Sequence, residues 1–320
     1  VTAATLTDES PHRGTARRRP LRRGTPRRGP VGTNRFTAGR IAIHGLLALC
    51  SIAFLAPLLM VVSASFSSES AINDKGYSLL PRHFTTFAYR YVAGDPSQVL
   101  QAYGVSILVT VTGTLVSLLV MSMLAYTLAR RDYTLRRPLT LYLIFAMLFN
   151  GGLVPTYILI TQYLHLQDTL FVLILPYLAS PWFVILLRTY FASLPTEIMD
   201  AARIDGAGEL RTFFQIVLPL STPALATVGL FTGLVYWNDW WLGLLYIDNE
   251  HLAPVQLFLY RIISNIDYAA STPQAGQLVT APVQTVRMAV AVLAIGPIVI
   301  AFGFIQRYLV RGIAIGGLKG

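Results

Sequence analysis

Six long apolar runs, at about residues 41–63, 104–129, 139–161, 170–188, 223–247 and 287–306, limit what this chain can fold into. A run of about 20 apolar residues has no polar face to turn to water. As a helix it covers the roughly 30 Å hydrocarbon thickness of a bilayer. Lipid offers nothing to pair with a bare backbone, so each run must satisfy its own N–H and C=O groups by coiling. Composition agrees: 54% of the 320 residues are hydrophobic and only 12% charged, against about 25% charged in a soluble chain. The expected fold is all-α and polytopic, with six transmembrane helices. Pro155, Pro176, Pro181 and Pro297 fall inside the runs, and neighbouring helices are expected to absorb them within spanning segments.

The net charge of +10 is unevenly spread. Residues 1–40 are rich in Arg, Pro, Gly and Thr and have no apolar period, which predicts a disordered Arg-rich cytoplasmic tail ahead of a membrane domain over 41–320. No aromatic residue is interleaved with the arginines from Arg13 to Arg28, so a nucleic-acid arm built on base stacking is not the reading. The stretch Ile41–Val62 is too long for a signal-peptide core of about 7–15 residues and suits a spanning helix. With the N-terminus inside, 20 of the 25 basic residues fall on the inner side. Only Lys75, Arg82, Arg90, Arg261 and Arg287 fall outside. That asymmetry predicts a multi-pass protein of the cell membrane with both termini cytoplasmic.

Several chemistries are excluded. Cys50 is the single cysteine, so there is no intrachain disulfide and no cysteine metal cluster. His12, His44, His83, His165 and His251 make no metal-ligand spacing. The two lysines, Lys75 and Lys319, belong to no G-x-x-x-x-G-K-[ST] phosphate loop, so this chain has no ordinary ATP site. Nothing points to an enzyme, a metal or a bound cofactor; a membrane enzyme would want clustered acids, and the acids here are scattered.

The segment at about 189–222 carries the most information. Pro195 suits a first helical turn. Asp205-Gly206 is turn chemistry that ends that helix with a bend. A second short helix is expected from about Ala207 to Val217, with Leu210, Phe213, Phe214 and Val217 at helical spacing, and Pro219 precedes the next span. The result is a helix-bend-helix knob. Its residues Asp200-Ala201-Ala202, then three, Gly206, then nine, Ile216, one, and Leu218-Pro219 resemble the EAA loop of binding-protein-dependent ABC importer permeases, with Asp200 where Glu is usual. Trp237-Asn238-Asp239 and the ending from Gln306 to Gly320 are similar to the carbohydrate-uptake branch that includes the maltose-transporter permeases. Phe149 to Tyr157 resembles a narrower, lipoprotein-linked branch serving oligosaccharides from complex polysaccharides.

The resemblance implies a type I importer permease fold and an ATP-driven importer for sugars. It implies four kinds of contact: a second homologous permease subunit, two cytoplasmic ATP-binding subunits that hold ATP and Mg, an extracellular solute-binding lipoprotein, and membrane lipid. Asp200, Ala201, Ala202, Asp205, Gly206, Ile216, Leu218 and Pro219 would couple ATPase motion to alternating access. Asn150, Tyr157, Trp237, Asn238 and Asp239 are the candidates for a sugar path, because sugars are met by flat aromatic faces beside amides. Trp237 has a second reading, an anchor at the headgroups. Asp239 also has two: a structural carboxyl near the end of its helix, or the intramembrane acid of a proton-coupled secondary transporter.

Overall fold

The computed structural model describes residues 38–271 and 282–316. The segment 1–37, residues 272–281 and residues 317–320, which carry most of the expected tail and part of the C-terminal signature, lie outside the described residues. The chain divides into two compact units, 1–53 and 54–320. The described part of the first is helical, the opening turns of α1 (Ala38–Ser65).

The second unit continues with α2 (Glu69–Lys75), α3 (Phe87–Val92) and the long α4 (Pro96–Ala129). Next come α5 (Arg136–Leu148), α6 (Leu153–Ile158), α7 (Leu170–Ile174) and α8 (Pro181–Ala192). The expected knob is α9 (Thr196–Ile204), α10 (Glu209–Thr212) and α11 (Leu218–Leu220). The chain then runs through α12 (Thr222–Asn238), α13 (Trp241–Tyr246), α14 (Val255–Ser271) and α15 (Val283–Gly316). No strand occurs among the described residues, so the all-α expectation holds.

Three helical stretches, Gly39–Ser65, Pro96–Ala129 and Val283–Gly303, are long and apolar enough to cross a membrane unbroken. Three more reach that standard only as bent pairs. Counted with each bent pair as one span, they make the six expected, three of them broken. The run expected over 139–161 is two helices at 111°. The cause is local: Gly152 sits at φ +89, a left-handed conformation, and Asn150 closes the turn by accepting the Gly152 N–H at 2.8 Å. Pro155 then lacks a donor in the first turn of α6. The next run bends by 51° between Tyr177 and Pro181.

Helix α4 threads all three buried clusters. Ala102 packs with α14 and α15, Val109 with α7 and α13, and Met121, Ala125 and Leu128 with α8 and the turn after α10. Its crossing with α12 is close because small residues face it. Gly113 lies under the Tyr236 ring, and Gly229 and Gly233 lie against Leu118 and Thr114. In lipid, helices associate through such close approach rather than through water exclusion. Elsewhere large apolar side chains face outward, among them Leu141, Phe145 and Val299, as lipid-facing surface requires. At the far end the Glu69 carboxylate accepts from Gln284 N, Thr285 N and Thr285 Oγ1, each at 2.8–2.9 Å. It thereby fills the open donors at the start of α15, a charge-assisted cap supplied by a distant helix. The Arg287–Asp267 ion pair ties α15 to α14 nearby.

Candidate functional site

The knob is built by a helix-ending motif. Asp205 caps α9 and Gly206 follows at φ +75. Ala207 N donates to Ala202 O at 2.9 Å and Gly206 N to Arg203 O at 3.0 Å. Those are the two bonds of a Schellman motif, in which a left-handed residue just past the cap lets the chain return to the last carbonyls. The spacing from Ala202 to Gly206 therefore has a backbone meaning. Ala202 supplies the accepting carbonyl and is buried, and Gly206 supplies the left-handed turn. A Cβ at Gly206 would meet nothing within 4 Å, so within this chain its conformation, not its size, calls for glycine. Asp200, Ala201 and Asp205 are exposed.

Beyond the bend, α10 runs into a π-turn over Phe213–Val217, closed by Leu218 N donating to Phe213 O. Pro219 cannot donate back along the helix, and the turn before it widens. Phe213 and Val217 point into the core beside Leu187 and Phe191. Ile216 and Leu218 are half-buried and Pro219 is exposed. The chain then turns by 82° into α12.

Both arms of the knob are clamped to the end of α4. On the α10 side, Glu209 pairs with Arg130 and accepts the Tyr126 hydroxyl at 2.7 Å. On the α9 side, Arg203 reaches Asp132 at 3.5 Å and Asp200 at 3.6 Å. Arg130 also pairs with Asp132, so five charged groups form one chain of contacts across the bend. The Arg130 hydrogen bond holds the Asp132 carboxyl down at about 2. A depressed carboxylate contributes its contact in full above the ordinary value and loses it as pH falls toward about 2, so the link is intact at any physiological pH. Sequence reasoning named Asp200 and missed Tyr126, Arg130, Asp132 and Glu209. The available signal was Tyr126 and Arg130 one helical turn apart, opposite an acid at the start of α10.

The sugar-path candidates make separate local contacts. Tyr157 stacks on Tyr246 with ring centroids 5.5 Å apart. Asn150 is engaged in its turn, and Asn238 is exposed, with Nδ2 donating to Leu234 O at 2.9 Å. Trp237 is only 7% exposed, and its indole N–H donates to Ala294 O at 3.1 Å. It is packed inward against α15 rather than exposed on the outer surface. The outward aromatics are its neighbours: Trp240 stacks on Tyr260 at 4.7 Å and meets Trp241 edge-on. Asp239 lies just past the end of α12, where the expected span breaks, and accepts the Tyr177 hydroxyl at 3.0 Å. No group of His, Cys, Asp and Glu that could hold a metal occurs among the described residues.

Residues 46–315 match the family described as binding-protein-dependent transport system inner membrane component. The chain is 36% identical to the polygalacturonan/rhamnogalacturonan transport system permease protein YtcP of Bacillus subtilis (strain 168), over 87% of this chain and 97% of that one. It is 32% identical to the arabinooligosaccharides transport system permease protein AraQ of Halalkalibacterium halodurans, over 84% of this chain and 93% of that one. Among solved structures it is similar to a chain of a bacterial ABC transporter involved in the import of the acidic polysaccharide alginate. There the TM-score is 0.73 at 29% identity, covering 88% of this chain and 99% of that one.

Proposed function

The chain belongs to the family of binding-protein-dependent transport system inner membrane components, and from that premise we propose that it is a permease subunit of an ATP-driven oligosaccharide importer whose α9–α10 knob receives motion from a separate ATPase. The observation that carries the coupling role is the clamp. A bend fixed by Gly206 is tied through Arg203 and Glu209 to α4, and α4 runs through every buried cluster. A push on the knob is therefore delivered to the centre of the helix packing. Ala201 and Asp205 face outward, free to meet a partner, and Asp200, exposed but paired with Arg203, lies beside them, while Ala202, Ile216, Leu218 and Pro219 shape the two arms. ATP and Mg belong to the ATPase pair, since this chain has no phosphate loop. A second permease subunit and an external solute-binding lipoprotein complete the assembly.

The substrate class rests on the relatives, whose names specify saccharides. Asn238, Tyr157 and Asn150 remain the path residues. For Trp237 the packing supports a structural role, so Trp237→Ala should disturb assembly as well as uptake. The geometry does not favour a proton-coupled transporter, because Asp239 is held by Tyr177 as a fixed acceptor.

Two experiments test this reading. In proteoliposomes with its ATPase, second permease and binding protein, the chain should support oligosaccharide uptake that needs ATP. Asp200→Arg should abolish that uptake with the permease still inserted. Uptake that continues without ATP and follows an imposed proton gradient would reject the importer. For the orientation, single cysteines go into a Cys50→Ala background as Glu197→Cys in the knob and Asn249→Cys at the opposite end. An impermeant maleimide should label Asn249→Cys in intact cells and leave Glu197→Cys untouched. The reverse pattern would overturn a cytoplasmic knob.

A further inference from the structure

Beside the knob, where α4 hands over to α5, a cavity of about 870 Å³ is lined by Arg131, Arg136, Arg137 and Arg188. These cations have no carboxylate within 4.0 Å among the described residues; the ion pairs at this end of the molecule use Arg130 and Arg203 instead. The one acid on the cavity wall, Asp132, is already held by Arg130 and Arg203. Arg188 is half-buried, lines the cavity and is fixed by its Nε–H donating to Leu128 O at 3.2 Å. Four like charges around one cavity repel one another, and an anion seated among them relieves that repulsion. A guanidinium group is suited to an oxyanion such as phosphate.

The apolar helix surface that adjoins the cavity at Leu141 identifies the anion. Arg136 and Arg137 open α5, none of whose residues is buried. The outward face of that helix continues from the cavity as Leu141, Tyr142 and Phe145, 66%, 66% and 57% exposed. A free oxyanion would use the arginines and have no use for that face. A phospholipid uses both, its phosphate at the arginine rim and its acyl chains along α5. Basic pockets between spanning helices take anionic headgroups in this way. We propose that the cavity bounded by Arg131, Arg136, Arg137 and Arg188 is a binding site for one anionic phospholipid. Because Asp132 is shared between the cavity wall and the clamp, the bound lipid sits one ion pair away from the knob.

The test reads binding directly and needs no transport, so its outcome is separate from that of the importer reading. The full chain is placed in nanodiscs of phosphatidylcholine mixed with phosphatidylglycerol, and lipid retained on release is measured by native mass spectrometry. Wild type should keep phosphatidylglycerol in preference to phosphatidylcholine. Each arginine removed in Arg136→Gln/Arg137→Gln should lower that affinity about fivefold. Arg136→Lys/Arg137→Lys should retain most of it, and Lys75→Gln/Arg90→Gln, away from the cavity, should change nothing. If the glutamine pair fails to insert, Arg131→Gln, at an exposed position, gives the same readout. Equal retention of the two lipids by wild type would overturn the site, as would equal loss in the Lys75/Arg90 control. Displacement of phosphatidylglycerol by inorganic phosphate would make the cavity a free-anion site and overturn the lipid assignment.

Discussion

Gly206→Pro is expected to abolish transport while the protein still reaches the membrane. Proline fixes φ near −65° and has no N–H, whereas Gly206 holds φ +75 and donates to Arg203 O at 3.0 Å. Both requirements of the bend fail together, at about 3 kcal/mol or more. The α9 and α10 arms then lose the angle that lets Arg203 and Glu209 reach the end of α4 at once. A graded series separates conformation from size. Gly206→Asn should be the mildest change, because asparagine tolerates the left-handed region. Gly206→Ala keeps the N–H but carries a left-handed cost of about 1–2 kcal/mol. Uptake should fall in the order Gly, Asn, Ala, Pro, with co-purification of the ATPase falling in parallel and insertion constant. If alanine outperforms asparagine, space in the partner's cleft governs this position rather than backbone conformation, and the Schellman account of the spacing is wrong.

The largest loss of stability is expected at a glycine with no place in any motif. A Cβ at Gly113 would lie 2.8 Å from Tyr236 Cζ. The Tyr236 ring is 4% exposed and has nowhere to retreat. Its hydroxyl is also engaged at both ends, 2.8 Å from Ser117 Oγ and 3.0 Å from Ile174 O. Gly113→Val must therefore push the ring aside, at about 1–3 kcal/mol for overpacking, and break two buried hydrogen bonds at about 1 kcal/mol each. The sum, about 3–5 kcal/mol, is a large share of a typical folding free energy of about 5–15 kcal/mol. A thermal melt of purified protein should drop well below wild type for Gly113→Val. Gly104→Ala in the same helix meets nothing within 4 Å and should not lower it. A second-site Tyr236→Leu should recover part of the loss, since the two changes share one space. A Gly113→Val protein that melts like wild type would mean that α4 and α12 do not approach as closely as described.

What could be read from the sequence were the features settled by residues close together in the chain. The apolar runs gave an all-α membrane protein. Asp205-Gly206 gave the bend, and the resemblance of the Asp200-to-Pro219 pattern gave the family to which residues 46–315 are matched. Each depends on hydrophobic period or on backbone capping within about five residues. The break at Asn150–Gly152 belongs to the same class: Pro155 is expected to be absorbed within one span, but with Asn150, Gly151 and Gly152 before it the segment bends by 111°.

Tertiary structure alone decided which side chains meet. Glu209 is 83 residues from Tyr126, Tyr236 is 119 from Ser117, and Glu69 is 216 from Thr285. It also decided that Trp237 faces inward toward α15 while Trp240 faces out, although the two lie in the same aromatic cluster of the sequence. Local period fixes that a helix forms. Its rotation and its partner are fixed by where small residues such as Gly113 and Gly233 allow two helices to approach, and by which buried polar groups must then find one another. Both conditions depend on segments far apart in the chain.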